Sequence, residues 1–134
     1  MTHGSHVPED RRYTASHEWV REEGQVVTVG ITDHAQAELT DVVFVDLPAI
    51  GKEGKPDQPV MVLESVKTVA DVNSPFEGKV VAVNSELKSH PELVNKDPYG
   101  AGWLFKLEVT RSEGGSSLLD AAGYRAHVEK GGGH

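Results

Sequence analysis

Two short apolar runs separated by a five-residue interval constrain this chain more than anything else in it. Val60-Met61-Val62-Leu63 precedes Glu64-Ser65-Val66-Lys67-Thr68, and Val69-Ala70-Asp71-Val72 follows; Asn73-Ser74-Pro75-Phe76-Glu77-Gly78 then breaks the pattern. Runs this close together, rich in β-branched residues, read as a β-hairpin with Ser65 to Thr68 at or near its tip. Such a hairpin holds Lys67 in solvent on a rigid stalk. Taken alone, a lysine at a turn is ordinary surface charge.

The other strands are read from the same kind of pattern. Trp19 and Val20 end a strand-like stretch that begins at Tyr13. Glu23-Gly24 makes a turn, and Gln25 to Ile31 returns with Val26, Val27, Val29 and Ile31. Thr32-Asp33 is an N-cap pair, and Gln36 three residues after Asp33 completes a capping-box signature, so a short helix is expected over 33–39. Val42 to Leu47 is dense in β-formers and is expected as a central strand buried on both faces. Pro48 stops it, and Gly51 to Asp57 reads as a surface turn. Lys79 to Val83 is a further strand, Ser85 to Gly102 is turn-rich with one helical turn at Pro91 to Val94, and Trp103 to Val109 alternates toward the core. A C-terminal helix is expected from Ser116 to about Lys130, packing through Leu118, Leu119, Ala122 and Val128. Many short strands with frequent turns give a mainly β fold, a sandwich or flattened barrel. The domain is placed at 13–130, between a loose tail at 1–12 and another at 131–134.

Composition closes off several classes of function. A chain of 134 residues suits one domain. Its formal net charge of −8 argues against a nucleic-acid or anionic-membrane partner. It contains no apolar run of membrane length and no cysteine, hence no disulfide framework and no thiol nucleophile. The seven histidines form no convincing ligand pair, so no metal is assigned. There is no nucleophile elbow and no Gly-rich phosphate loop, so an enzyme is not expected. Lysine is protonated near neutral pH and is a poor nucleophile. It becomes useful once another enzyme acylates it, because a long flexible arm on a rigid hairpin makes a carrier.

The words around Lys67 are specific. Glu64-Ser65-Val66-Lys67 with Ser74-Pro75-x-x-Gly78 accompanies Tyr13-Thr14-x-x-His17-Glu18-Trp19-Val20 and Val29-Gly30-Ile31-Thr32-Asp33-His34-Ala35-Gln36. Val42-Val43-Phe44-Val45-Asp46-Leu47-Pro48 and Pro91-Glu92-Leu93-Val94-Asn95-x-Asp97-Pro98-Tyr99-Gly100-x-Gly102-Trp103 come in the same order. Together these blocks resemble the glycine cleavage system H proteins along nearly the whole chain. The resemblance implies the lipoyl-domain fold, two antiparallel sheets with the lysine hairpin at one end, and lipoate attached covalently to Lys67. The attaching lipoate ligase or lipoyl transferase would read the hairpin with its neighbours Glu64 and Val66. The arm's sulfurs would reach on the order of 14 Å from the backbone.

The resemblance also implies a cycle. A glycine decarboxylase would load the aminomethyl group of glycine on the arm, an aminomethyltransferase would take its carbon, and dihydrolipoyl dehydrogenase would reoxidise the dithiol. Between partners the loaded arm would fold into a cleft near Ser16, Glu18 and Asp71. A monomer is expected, in the bacterial cytoplasm, or in the mitochondrial matrix for a processed eukaryotic chain. A biotin carrier would set its lysine between methionines, and a 2-oxoacid dehydrogenase domain would usually have Asp before it; neither matches Ser65-Val66-Lys67-Thr68. The same lysine would also serve a lipoate store or relay that hands its group to other acceptors. Two positions depart from the family pattern. Thr40 stands where Gly commonly ends the helix, which predicts an exit that differs locally or is strained, and Met61 replaces a small residue, which predicts altered packing under the arm and a narrower cleft.

Overall fold

Alternating apolar residues build two sheets that share one core. The structure, a computed structural model, describes residues 6–111 and 117–131. In chain order the elements are β1 (Arg12–Tyr13), β2 (Glu18–Glu23), β3 (Val26–Ile31), α1 (Asp33–Leu39), β4 (Val42–Asp46) and β5 (Glu53–Gly54). Then come β6 (Pro59–Ser65), β7 (Val69–Asn73), β8 (Glu77–Val83), α2 (Glu86–Ser89), α3 (Leu93–Lys96), β9 (Phe105–Arg111) and α4 (Ala121–Gly131). The larger sheet runs β1-β2-β3-β9-β8-β5 and the smaller β4-β6-β7. Every pairing between these strands is antiparallel, and the sheets form an unclosed sandwich.

Val20, Val27, Val29, Val80, Phe105 and Leu107 of the larger sheet meet Val45, Val60, Met61, Leu63 and Val72 of the smaller. Each fully buried side chain of this kind contributes about 1.5–3 kcal/mol. A second cluster covers the other face of β1 to β3, where Tyr13, Trp19, Ala121 and Tyr124 are buried. The Tyr13 and Tyr124 rings stack with centroids 4.8 Å apart. Trp19 lies opposite Gly30 across the ladder, and a Cβ on Gly30 would come 2.5 Å from its indole. Glycine there makes room for the ring.

Several expectations are corrected. Strand β4 is an edge strand, not a central one, and Val43 and Phe44 are 53% and 51% exposed. An irregularity between Val42 and Phe44 breaks the alternation, and among the described elements none covers the outer face of the small sheet. The segment 51–57 is more than a turn, because Glu53 and Gly54 pair with Lys79 and Gly78. Two helical turns, not one, punctuate 85–102, each burying one apolar residue, Leu87 and Val94. Helix α4 begins at Ala121, with the Asp120 carboxylate accepting from Gly123 N at 2.8 Å; Ser116 lies outside the described residues. Ala122 is exposed; Ala121 and Tyr124 are buried, and Leu119 and Val128 pack against their cluster while Leu118 packs against the main core, as expected.

From His6 onward the N-terminal stretch is docked. Val7 is buried, Tyr99 Oη donates to His6 O at 2.6 Å, and the Arg11 guanidinium sits 4.6 Å from the Trp19 ring centroid.

The short helix forms where expected, and of the expected Thr32-Asp33 pair the first residue is the cap. Thr32 is the N-cap, its hydroxyl accepting from Ala35 N, while Gln36 Nε2 donates to the Asp33 carboxylate. Thr40 closes the helix at φ 62°, ψ −149°, a region that suits glycine and costs other residues about 1–3 kcal/mol. The expected strain is present. Thr40→Gly should therefore raise stability by about 1 kcal/mol, read as a higher urea midpoint with an unchanged slope; a lower midpoint would show that the threonine is not strained.

Candidate functional site

The hairpin β6–β7 pairs Leu63 with Ala70 and Glu64 with Val69, leaving Ser65 to Thr68 as the turn. Ser65 builds that turn. Its backbone N–H donates to Thr68 O at 2.8 Å, and its hydroxyl oxygen accepts from Lys67 N at 3.2 Å and Thr68 N at 3.1 Å. Lys67 is exposed at the tip, between Val66, 66% exposed, and Thr68.

The tip is also tied to the body. Val66 N donates to Asp41 O at 3.0 Å, in the connection between α1 and β4. Asn95 of α3 fixes that connection from both sides. Its Nδ2 donates to Thr40 O at 2.7 Å and its Oδ1 accepts from Val42 N at 2.9 Å. Neither Asp41 nor Asn95 was singled out by sequence as a site residue. Asn95 lies within a recognised block, but its contacts span more than fifty positions and leave no local signal.

A cavity of about 410 Å³ opens beside the hairpin, between it, the start of β2 and α1. Ser16, Glu18, Asp71 and Lys67 all line it, joined by His17 and Glu38, with Ile31, Leu39 and Leu63 as apolar wall. Glu64 and Val66 stay outside it, on the hairpin's exposed surface. Met61 is buried between the sheets and does not line the cavity, so it does not narrow it.

Glu18 is 2% exposed, and its carboxylate is held by three donors. Thr14 Oγ1 and Ser16 Oγ donate to Oε1, the latter at 2.6 Å, and Asn73 N donates to Oε2 at 3.1 Å. Thr14 thus fixes Glu18 from its own loop, and Asn73 fixes it from the hairpin. Asp71 faces the same cavity from β7 and is exposed.

His17 takes φ 78°, a left-handed turn into β2. Its Nδ1 lies 2.7 Å from Tyr124 Oη, which is 2.8 Å from Thr32 Oγ1. The His34 and His127 rings stand 4.8 and 5.8 Å from its ring, and Glu38 lies 3.5 Å from His34 Nε2. Burial, then the charges of His34 and His127, push the His17 pKa down from 6.5 to about 4. Among the described residues no group of three or more His, Cys, Asp or Glu could hold a metal, and no helix is long and apolar enough to cross a membrane.

A sandwich that raises one lysine on a hairpin beside a partly apolar cavity has the form of a prosthetic-group carrier domain. The sequence profile of the glycine cleavage H-protein family matches residues 11–131. The chain is 58% identical over 122 residues to the glycine cleavage system H protein of Deinococcus deserti, covering 91% of this chain and 98% of that one. It is 52% identical to that of Thermotoga maritima, covering 86% and 93%. The crystal structure of a glycine cleavage system H protein from Mycobacterium marinum superposes with a TM-score of 0.83 at 37% identity, covering 94% and 99%. The chain belongs to the glycine cleavage H-protein family.

The unfolded chain binds a proton at His17 near pH 6.5 and the folded chain only near 4. Its contribution to stability is therefore complete above pH 6.5 and disappears as pH falls toward 4. Discounted for screening at this half-buried position, the loss is about 1–2 kcal/mol. His17→Asn, which tolerates the left-handed backbone, should flatten the fall in urea stability between pH 7 and 4.5. An unchanged pH profile would show that His17 is not what acid acts on.

Proposed function

We propose that this protein is the lipoyl carrier of a glycine cleavage system, with the lipoyl group joined to Lys67 and Ser16, Glu18 and Asp71 guarding its loaded end. The observation that carries this is the meeting of Lys67, Ser16, Glu18 and Asp71 on one cavity. Family membership favours glycine cleavage over a lipoate relay.

The residues fit a lipoyl group. Ile31, Leu39 and Leu63 suit its apolar chain, and the polar end of the cavity suits a small amine. When attached, the group supplies a disulfide that accepts the aminomethyl unit from glycine decarboxylase, yields it to an aminomethyltransferase, and is restored by dihydrolipoyl dehydrogenase. Lys67 contributes its Nζ to the amide and loses its charge. The hairpin holds that nitrogen at a fixed place, and a tethered group meets its partners at raised effective concentration.

Glu18 and Asp71 put negative charge on the cavity wall, which favours the protonated form of an amine beside them. A protonated amine has no lone pair with which to expel a neighbouring sulfur. The chain acts here as a carrier and leaves catalysis to its partners. It is expected to work as a monomer, modified by a lipoate ligase or lipoyl transferase.

Two outcomes test this. After co-expression with a lipoate ligase, intact mass should show one lipoyl group on the parent and none on Lys67→Arg; a lipoyl group on the variant would refute the assignment. With the carrier loaded from glycine and the decarboxylase removed, Glu18→Ala should release formaldehyde and ammonia about tenfold faster than the parent, the effect of losing ~1.4 kcal/mol. Equal release from a folded, lipoylated variant would remove Glu18 from the protective role.

A further inference from the structure

Three histidines from three separate elements meet at the cavity wall. His17 sits in the turn before β2, His34 in the first turn of α1 and His127 in α4. The His34 and His127 rings lie 4.8 and 5.8 Å from that of His17, which stands edge-on to Tyr124 at 5.7 Å. His17 also lines the cavity. The cluster therefore joins the cavity wall to the C-terminal helix.

The hold of α4 on the sheets is narrow. At 11 residues with Gly123 inside, the helix is too short to be stable alone in water. It buries Ala121 and Tyr124, and Tyr124 stacks on Tyr13. Both of its polar contacts to the 15–17 turn involve an imidazole. Tyr124 Oη meets His17 Nδ1 at 2.7 Å, and His127 Nε2 donates to Ala15 O at 3.0 Å. Arg125 ties the helix to the N-terminal stretch, donating to Glu9 and to Val7 O. Just ahead of α4, Leu119 and Tyr13 exchange backbone bonds of 2.7 and 2.8 Å.

Charge makes this hold sensitive to acid. Among the described residues the only carboxylate in ion contact with the cluster is Glu38, 3.5 Å from His34 Nε2. Glu18 is engaged by Thr14, Ser16 and Asn73, while Asp71 and Lys67 face the cavity from the hairpin. Glu129 and Lys130 stand exposed at the end of α4. A proton on His34 is thus balanced by Glu38. A further proton, on His17 or His127, meets a like charge and no carboxylate. Burial and its two neighbours already hold the His17 pKa down from 6.5 to about 4. With α4 away, His17 is in water and takes its proton at the ordinary value. The released form binds more protons, so pH above 6.5 favours the docked helix and acid favours its release.

We propose that His17, His34 and His127 form an acid-operated latch. When the cluster takes up a proton beyond the one that Glu38 balances, α4 leaves the sandwich and the 14–18 turn loosens, opening the cavity wall while the two sheets stay folded. The latch does not depend on what Lys67 carries.

Amide hydrogen exchange of the full-length unmodified protein tests this, read by mass spectrometry from pH 7.5 to 5 and corrected for the intrinsic rate. Protection over 119–131 should fall about tenfold per unit of pH below 6.5, the slope for one linked proton. Residues 6–13 should follow, being tied through Arg125 and Leu119, and so should 14–18. Strands β6, β8 and β9 should keep their protection. The double variant His17→Asn, His127→Gln should make protection of α4 independent of pH, whatever its absolute level. His90→Gln, at an exposed histidine beside Glu92, should match the parent. If the double variant does not fold, the imidazole proton resonances of the parent decide: His17 should titrate together with the opening of α4. A pH-independent α4 in the parent overturns the proposal, as does a double variant as steep as the parent. So does equal loss in α4 and the strands, since acid would then unfold the whole chain. Loss confined to α4, or a His17 that stays neutral while α4 opens, overturns it as well.

Discussion

Strand β6 is hydrogen-bonded along both edges, to β4 and to β7, and the position of Lys67 depends on the stiffness this gives the hairpin. Leu63 is buried completely and Val60 and Met61 nearly so, so the strand is pinned by packing as well as by its ladder. The turn then adds few contacts, chiefly the Ser65 hydroxyl and the Val66–Asp41 bond. Each such bond is worth only about 0.5–1.5 kcal/mol net. Stiffness therefore comes from the strand and not from the tip. On the proposed carrier reading this division matters, because partners would find an amide nitrogen on Lys67 in one place while the arm beyond it moved.

Glu18 is the costliest residue in the site. Burying a carboxylate costs several kcal/mol of desolvation, and an apolar residue of similar size would fill the space more cheaply. Three donors offset that cost and fix the carboxylate against both the Thr14–His17 loop and the hairpin residue Asn73. The carboxyl group is thus held in one place on the cavity wall that Lys67 also lines. This arrangement supports a protective role for Glu18 better than a purely structural one, which an uncharged side chain would serve.

The hairpin and the α1 helix were legible because each rests on local pattern, β-branched runs and a Thr-Asp cap; strands closed by glycine and proline pointed to a sandwich or flattened barrel, and the two-sheet plan came from the resemblance. Where the reading failed, tertiary context had intervened. Val42 to Leu47 has the composition of a buried strand, yet the irregularity at Val43 and the bare outer face leave Phe44 in solvent. Sequence left the cap shared between Thr32 and Asp33; Thr32 has the extended backbone a cap requires, and Asp33 opens the helix. The placing of Ser16, Glu18 and Asp71 came from resemblance, and the structure brings them to one cavity. What supports them was invisible, since Thr14, Asn73, Asp41 and Asn95 act through contacts between elements and no periodicity encodes those.

Backbone strain sits on both sides of this site. Among the described residues the non-glycine positions with positive φ are His17, Thr40 and Asp57. His17 immediately precedes Glu18, and Thr40 precedes Asp41, whose carbonyl holds the hairpin tip. Strain of about 1–3 kcal/mol persists only where surrounding contacts over-determine the conformation. At His17 the contact is with Tyr124 of α4, and at Thr40 it is with Asn95 of α3. The helices are therefore more than a cover for the sandwich. α4 holds the turn that delivers Glu18 to the cavity, and α3 holds the carbonyl that anchors Val66. Geometry beside Lys67 is set by side chains on helices distant in sequence, which is why the local words around the lysine identify the site without explaining its shape.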